Sequence, residues 1–599
     1  MNRDPLAHVY GGVPSPSPGP DAPTAAAVAA GPATRGPLVP APGPAADDAG
    51  GRAGPAGRAT GRIRRALAVV PDVLAVLLVQ FVLVAPNRLD AYGAAAFARL
   101  PLEGLVGVVL VLAVPAGRRR AVVVAGGVVL ALLTGLKLVD TAFFAVLVRP
   151  FDASRDASLF APGLEFLTTT FGEVGAAAVM TAVALVALAV PIVMIVALGR
   201  LTRLVVRHDA IATRAVAALA AGWLVCAVLG VQTAHGGPLA ARDSVTGTYE
   251  QVGLLRAGLR DRRVFATEAA VDAFGSTPGD RLLPGLHGKD VVLAFVESYG
   301  RTAVRDPRIA RQVEPVLADG ERRLAAAGFS ARSGFLTSTT RGGGSWFAHS
   351  TLLSGLSISD GTRYRPLMRS NRLTLNGAFH RAGWRTVGIM PGVTRAWPEA
   401  EFYGYDELYD LRGLHYTGPP FSWSPAPDQY ALATLQSTVM DRVGRPPVMV
   451  EVGLTSSHAP WAPLPTTVPW TRAGDSSVYR PMPDAARSAS DVWPDPTSVR
   501  AAYADSLRYS LGTLLSWIET YGDDDLVVMF LGDHEPLRIV TGPDAGRDVP
   551  ISIVAKDPAV LDQVGGWRWE QGLRPGPDAP VWPMEDFRDR FLTAFGSTP

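Results

Sequence analysis

Five stretches of almost unbroken apolar residues crowd the first half of this chain, at about 66–86, 98–116, 121–148, 174–199 and 215–234. Each approaches the roughly 20 residues that a helix needs to cross a bilayer, so the segment 61–235 is expected to be a five-helix transmembrane domain. Arg58, Arg62, Arg64 and Arg65 precede the first stretch. Arg118, Arg119 and Arg120 separate the second from the third, and Arg200, Arg203, Arg207 and Arg214 separate the fourth from the fifth. The opposite connections are poorer in arginine. The positive-inside rule then puts the N-terminus in the cytoplasm and everything after 235 outside. Glu103 and Pro115 interrupt the second stretch; if it failed to cross, the C-terminal half would face the cytoplasm. Lys137 and Asp140 fall inside the third, three apart on a helix, where they can face and neutralise each other.

Residues 1–60 are rich in Pro, Ala and Gly and poor in large apolar groups. Such a segment buries too little surface to offset its ordering entropy, and a disordered cytoplasmic tail is expected. A net charge of +2 gives no electrostatic footprint for nucleic acid. The single cysteine, Cys226, excludes an intramolecular disulfide framework and a cysteine-cluster zinc site. Residues 236–285 form a polar, partly helical linker in which Leu254, Leu255 and Leu259 share an apolar face, suited to a membrane surface or to the domain that follows.

From residue 286 onward the pattern alternates. Continuous apolar runs at 291–296, 386–390, 447–454, 526–532 and 549–555 read as buried strands, and 345–355, 371–382 and 499–521 read as helices. Alternation of this kind predicts an α/β domain with a mainly parallel sheet covered on both faces. In such sheets reactive residues gather at the carboxyl ends of the strands. Glu297 follows one run directly, Asp533 and His534 follow another, and His458 comes shortly after a third. Carboxylate, carboxylate and imidazole, with the hydroxyl of Ser345, make an oxygen-rich set for one divalent cation. Ser345 follows three glycines and opens a helix, so backbone N–H groups there suit a phosphate or sulfate, and the serine is placed as nucleophile. An N-cap role for Ser345 is the alternative, and Thr339, Thr340 and Ser350 are rival hydroxyls. Glu535 should point away if its two predecessors face a metal. The Pro-rich stretch 462–498 fits a substrate lid or a surface insertion equally.

The order Glu297-Ser298, Gly-Gly-Gly-Ser345, Ser-Ser-His458-Ala-Pro and Gly-Asp533-His534, behind apolar spans and a helical linker, resembles the alkaline phosphatase/sulfatase superfamily. More narrowly it resembles the membrane-anchored branch of lipoteichoic acid synthases and phosphoglycerol transferases. The resemblance covers about 66–599. It implies a sulfatase-like catalytic domain over 286–599 and one divalent ion, Mn²⁺ in that branch, with Mg²⁺ and Zn²⁺ as alternatives. Glu297, Ser345, Asp533 and His534 would hold it. It also implies a membrane phospholipid donor, an envelope glycan, lipid or polymer acceptor, and His458, Trp397 and Arg395 as substrate-binding residues. The reaction would move a phospho-alcohol head group through a phosphoseryl intermediate; a phosphodiesterase or sulfatase-like hydrolase, using water as acceptor, is the alternative. The chain departs from the pattern in three places. Serine stands where the lipoteichoic acid enzymes usually carry threonine. Ser345-Trp346-Phe347-Ala348-His349 lacks the Pro and Arg of a formylglycine sulfatase. Met390 falls where that family's head-group pocket has a histidine, and Pro398-Glu399 follow Trp397 where it has an arginine, leaving Arg395 as the substitute.

Overall fold

The computed structural model describes residues 55–147, 149–152, 155–233 and 237–597. Two compact units divide the chain, Met1–Ala66 and Leu67–Pro599. The expected tail lies outside the described residues up to 54, and helical backbone starts at Pro55.

All five apolar stretches are helical: α1 (Pro55–Val84), α2 (Leu102–Ala113), α3 (Arg119–Leu147), α4 (Phe160–Arg207) and α5 (Asp209–Val228). Their outward side chains, such as Leu77, Leu132, Leu188 and Leu224, are apolar and uncovered by protein. That is a surface for hydrocarbon rather than water. Among the described residues, three segments are long and apolar enough to cross a membrane, Ala116–Ala145, Phe171–Arg207 and Asp209–Val228. Val69–Val84, the apolar end of the longer α1, and Leu102–Ala113 are shorter apolar stretches. At about 1.5 Å per residue, α2 reaches only some 18 Å, well short of a hydrocarbon core of about 30 Å. α4 is broken at Gly172, whose φ of 72° is non-helical. α3 and α4 approach closely because Gly127 has no side chain: a Cβ there would lie 2.8 Å from Ile195 Cα.

Lys137 and Asp140 do not pair as their spacing suggests. Lys137 Nζ reaches the carboxyl end of α1 instead and donates to the carbonyls of Val82, Leu83 and Ala85 at 2.8, 3.2 and 3.0 Å. Those carbonyls have no partner within the helix and carry the negative end of its dipole. Asp140 accepts from Phe151 N at 2.9 Å and Asn87 Nδ2 at 3.2 Å. Replacing Lys137 by Met should therefore destabilise the detergent-solubilised protein by about 3 kcal/mol, the cost of buried carbonyls left unbonded. Thermal unfolding would measure it, and an unchanged midpoint would refute the capping role.

The linker is one long helix, α6 (Asp243–Ala270). Leu255 and Leu259 remain exposed, so of its two expected roles this face does not take the one against the following domain. Contact is made one turn later by Phe265, buried against Phe347, Leu356, Ile358 and Leu367, and by Asp261 accepting from Arg363.

The following domain runs β1 (Asp290–Val296), α7 (Pro307–Ala326), β2 (Ser330–Thr337), α8 (Ser345–Ser354), β3 (Arg385–Met390), β4 (Glu407–Asp410), β5 (Val448–Leu454), α9 (Pro496–Tyr521), β6 (Leu526–Gly532), α10 (Arg538–Thr541), β7 (Asp548–Ala555), β8 (Glu570–Gln571), β9 (Val581–Pro583) and α11 (Asp586–Phe595). α7 starts where Asp306 caps Arg308 N and Pro307 takes the first helical position. Its Ile309, Val313 and Leu317 pack with Leu507, Leu511 and Leu514 of α9 over one face of the sheet. Ala348, Leu352 and Leu353 of α8 and Phe587 and Phe591 of α11 pack over the other. The result is a three-layer α/β/α domain.

The sheet is mixed, which corrects the mainly parallel expectation. Its order is β8–β2–β7–β6–β1–β5–β3–β4, with β9 beside β2. β6, β1, β5, β3 and β4 are mutually parallel, whereas β7 runs antiparallel to both β6 and β2, and β8 antiparallel to β2. A parallel neighbour needs a long crossover. Between β6 and β7 the connection holds the four-residue α10 and no long helix of the kind that usually carries a crossover, and the chain turns back. The continuous apolar run of β7 reported burial on both faces, not direction.

Candidate metal centre and active site

Strand order assembles the site. β1 lies between β6 and β5, and Val296 is in register with Gly532 on one side and Leu454 on the other. Glu297 and Asp533, each one residue beyond, therefore emerge side by side at the same edge, with the His458 loop next to them. Ser298 takes a left-handed turn, φ 56°, that swings its N–H back to Asp533 Oδ1 at 2.7 Å. Its hydroxyl donates to Glu297 Oε1 at 2.9 Å. Buried hydroxyls pin the backbone around these groups: Ser457 Oγ donates to Glu297 O, Ser338 Oγ to Asp533 O and Tyr503 Oη to Ser298 O.

Glu297, Asp533 and His534 are all buried, and one ligand atom from each lies within 4.8 Å of the others. His534 Nδ1 faces the Glu535 carbonyl at 2.9 Å, which leaves Nε2 toward the carboxylates, 3.4 Å from Glu297 Oε1 and 3.6 Å from Asp533 Oδ2. Asp533 Oδ1 accepts from Ser298 N and His534 N, while Oδ2 is buried without a partner. Burial, with the Glu297 carboxylate beside it, pushes Asp533 up to about 6. Burial opposes a charged His534, yet Asp533 and Glu297 hold its pKa above the usual value. An orphaned carboxylate oxygen, a directed imidazole and two crowded acids fit a divalent cation. Glu535 points away, its Oε1 accepting from Thr302 N at 2.9 Å, and burial raises it to about 7.

Ser345 is the first helical residue of α8, not its cap: Gly344 holds that place with φ 83°, after Gly342 and Gly343, which also have positive φ. The Ser345 hydroxyl donates to Glu297 Oε2 at 2.9 Å and lies 3.3 Å from His534 Nε2. The rival hydroxyls are placed otherwise. Thr339 Oγ1 meets Thr351 Oγ1 at 3.2 Å, Ser350 Oγ binds Trp346 O and Tyr403 Oη, and Thr340 Oγ1 is buried without a partner.

A cavity of about 1250 Å³ opens over Ser345, and His458 and Trp397 line it. The His458 ring stacks on Trp423, with centroids 4.1 Å apart, and Trp397 packs against Tyr403 and Tyr405. Arg395 is exposed and outside the cavity wall. Phe143, Leu159 and Leu167, from the membrane helices and the connection between them, close another side. Arg538 of α10 donates to Phe144 O at 3.4 Å, and Arg155 pairs with Asp360 at 3.4 Å. The 462–498 stretch is folded onto the domain. Tyr479 is buried in the core, and Trp461 stacks on Trp493, which reaches the cavity.

No family model matches the sequence, and no curated protein does. Solved structures do. The chain is similar to enzymes of the alkaline phosphatase superfamily. The lipoteichoic acid synthase LtaP of Listeria monocytogenes matches with a TM-score of 0.36 and 14% identity, over 53% of this chain and 74% of that one. The phosphoglycerol transferase GacH of Streptococcus pyogenes, in complex with sn-glycerol-1-phosphate, matches at 0.33 and 14%, over 57% and 91%. The C-terminal periplasmic domain of EptC from Escherichia coli matches at 0.33 and 12%, over 52% and 82%.

Sequence reasoning passed over His349, Asn376, Tyr405 and Glu451. Glu451 carried a signal: it is the one acid in the run PVMVEVGL, and a carboxylate inside a buried strand is rare unless it is fully partnered.

Proposed function

We propose that this is an integral membrane phosphotransferase of the cell envelope, with its catalytic domain on the extracytoplasmic side. It would move a phospho-alcohol head group from a membrane phospholipid to an envelope glycan, lipid or polymer. The observation that carries the reading is Ser345 Oγ, 2.9 Å from Glu297 Oε2 and 3.3 Å from His534 Nε2, in a cavity walled in part by membrane-domain residues. A lipid donor can present its phosphate to Ser345 while its acyl chains stay against Phe143, Leu159 and Leu167.

Glu297, Asp533, His534 and Ser345 would hold a divalent ion, Mn²⁺ in this reading, whose charge would acidify the hydroxyl and neutralise phosphate oxygens. Glu297 Oε2 receives the hydrogen bond, and so the proton, of the Ser345 hydroxyl. Ser345 Oγ bonds to phosphorus as the bond to the diacylglycerol oxygen breaks. The first turn of α8 offers unbonded N–H groups to the resulting phosphoserine. His458 and Trp397 border the space in which an acceptor hydroxyl would displace the serine. Positioning and charge neutralisation carry most of the rate.

The test is diacylglycerol release from mixed phospholipids by the full chain in detergent, with and without Mn²⁺. Release that requires the metal is expected. Release that is equal after exhaustive chelation, or absent from every phospholipid, would overturn the reading.

A further inference from the structure

One polar cluster between α8 and the sheet is not used by the metal centre. Glu451, in the middle of β5, is 1% exposed. Its Oε1 meets His349 Nδ1 at 2.9 Å, and its Oε2 accepts from Asn376 Nδ2 at 2.9 Å and Tyr405 Oη at 2.6 Å. A carboxylate inside a sheet is tolerated only when so fully bonded. Space has been made for its partner Tyr405. Gly388 lies opposite Glu451 in the register, and a Cβ there would meet the Tyr405 ring at 3.2 Å and Leu408 Cδ1 at 2.8 Å. The His349 ring is further fixed by stacking on Phe295, with centroids 3.6 Å apart.

His349 also belongs to the helix of the nucleophile. It follows Ser345 by four residues, so the two share a face with Cβ atoms about 6 Å apart. Nδ1 is committed to Glu451, which leaves Nε2 as the nitrogen presented to the cavity that His349, Glu451, Tyr405 and Ser345 all line.

We propose that His349, oriented by Glu451, is the group that carries the proton of the alcohol entering or leaving at phosphorus. This rests on the phosphoseryl reading above. In the second half-reaction the acceptor oxygen bonds to phosphorus, the bond between phosphorus and Ser345 Oγ breaks as Oγ takes back its proton from Glu297 Oε2, and the acceptor's hydroxyl proton passes to His349 Nε2. In the first, the same nitrogen returns a proton to the departing diacylglycerol oxygen. Glu451 is a positioning residue: it holds one tautomer and the orientation of the ring.

An activated phosphodiester separates the two steps. Nitrophenolate leaves bis(4-nitrophenyl) phosphate without needing a proton, so its burst reads esterification of Ser345, and steady turnover with glycerol as acceptor reads the second step. For His349→Ala in the full chain, the burst should persist while turnover falls about 10²-fold. A mass adduct should accumulate on Ser345, and free imidazole should restore turnover. His349→Gln, which keeps a donor toward Glu451, should show the same block if it folds as judged by its melting temperature. Glu451→Gln should lower kcat with little change in KM. Turnover by His349→Ala equal to wild type, or equal loss of burst and turnover without imidazole rescue, would overturn the assignment. Absence of a burst in the wild type would sink the phosphoseryl reading itself and this proposal with it.

Discussion

Ser345→Ala should abolish metal-dependent diacylglycerol release, with a loss of about 10³-fold or more, while folding survives and Glu297, Asp533 and His534 still bind the metal, more weakly for the lost hydroxyl. The size follows from the chemistry. Without a nucleophilic oxygen at that point there is no covalent route, and only binding and charge neutralisation remain. The sparing of the fold follows from the geometry. Ser345 is not the helix cap, since Gly344 is, and its hydroxyl bonds only to groups of the cluster. Alanine is also a better helix former than serine. A melting temperature within a few degrees of wild type, a metal-induced shift that is reduced but still present, and no lipid turnover at saturating metal would together identify the nucleophile. If Ser345→Ala retained activity and Thr340→Ala lost it, the nucleophile would be Thr340, whose buried hydroxyl lines the same cavity.

The second large effect is expected at Asp533. Asp533→Asn keeps an oxygen to accept from Ser298 N and His534 N but replaces the unpartnered Oδ2 by an amide nitrogen. A ligand is lost, so metal affinity should fall steeply and turnover by about 10²-fold or more. The metal-free protein should be no less stable, because burial and the neighbouring Glu297 already oppose the ionised carboxylate. Wild type titrated with Mn²⁺ to about a hundred times its dissociation constant should gain about 2.7 kcal/mol. The variant should gain almost nothing. An unchanged metal-induced shift in Asp533→Asn would remove Asp533 from the ligand set.

The site and its membrane context were legible to different depths. Continuous apolar runs ending in Glu297 and in Asp533-His534 betray buried strands whose carboxyl ends carry polar groups. Their adjacency follows once those strands neighbour each other, as β6, β1 and β5 do. That α2 is short for a span was partly foreshadowed by Glu103 and Pro115 in the second stretch.

Other features lie beyond a one-dimensional pattern. A run such as VPISIVA is equally apolar in either direction, and the antiparallel course of β7 goes with a connection before it that holds no long helix. Lys137 looks like the partner of Asp140 because spacing along one helix is all that a sequence displays. Its carbonyl partners belong to the end of another helix, 52 to 55 residues earlier. Arg395 sits close to Trp397 in the chain yet turns to solvent, and Glu451 meets His349, 102 residues away. Apolar periodicity and the residues at strand ends are local properties, so the sequence by itself determined the helical membrane segment, the buried strands and the chemical types gathered at one edge. Strand direction, the partner of each buried charge and the fit of Glu451 into the sheet depend on contacts between distant segments, and only the tertiary structure decided them.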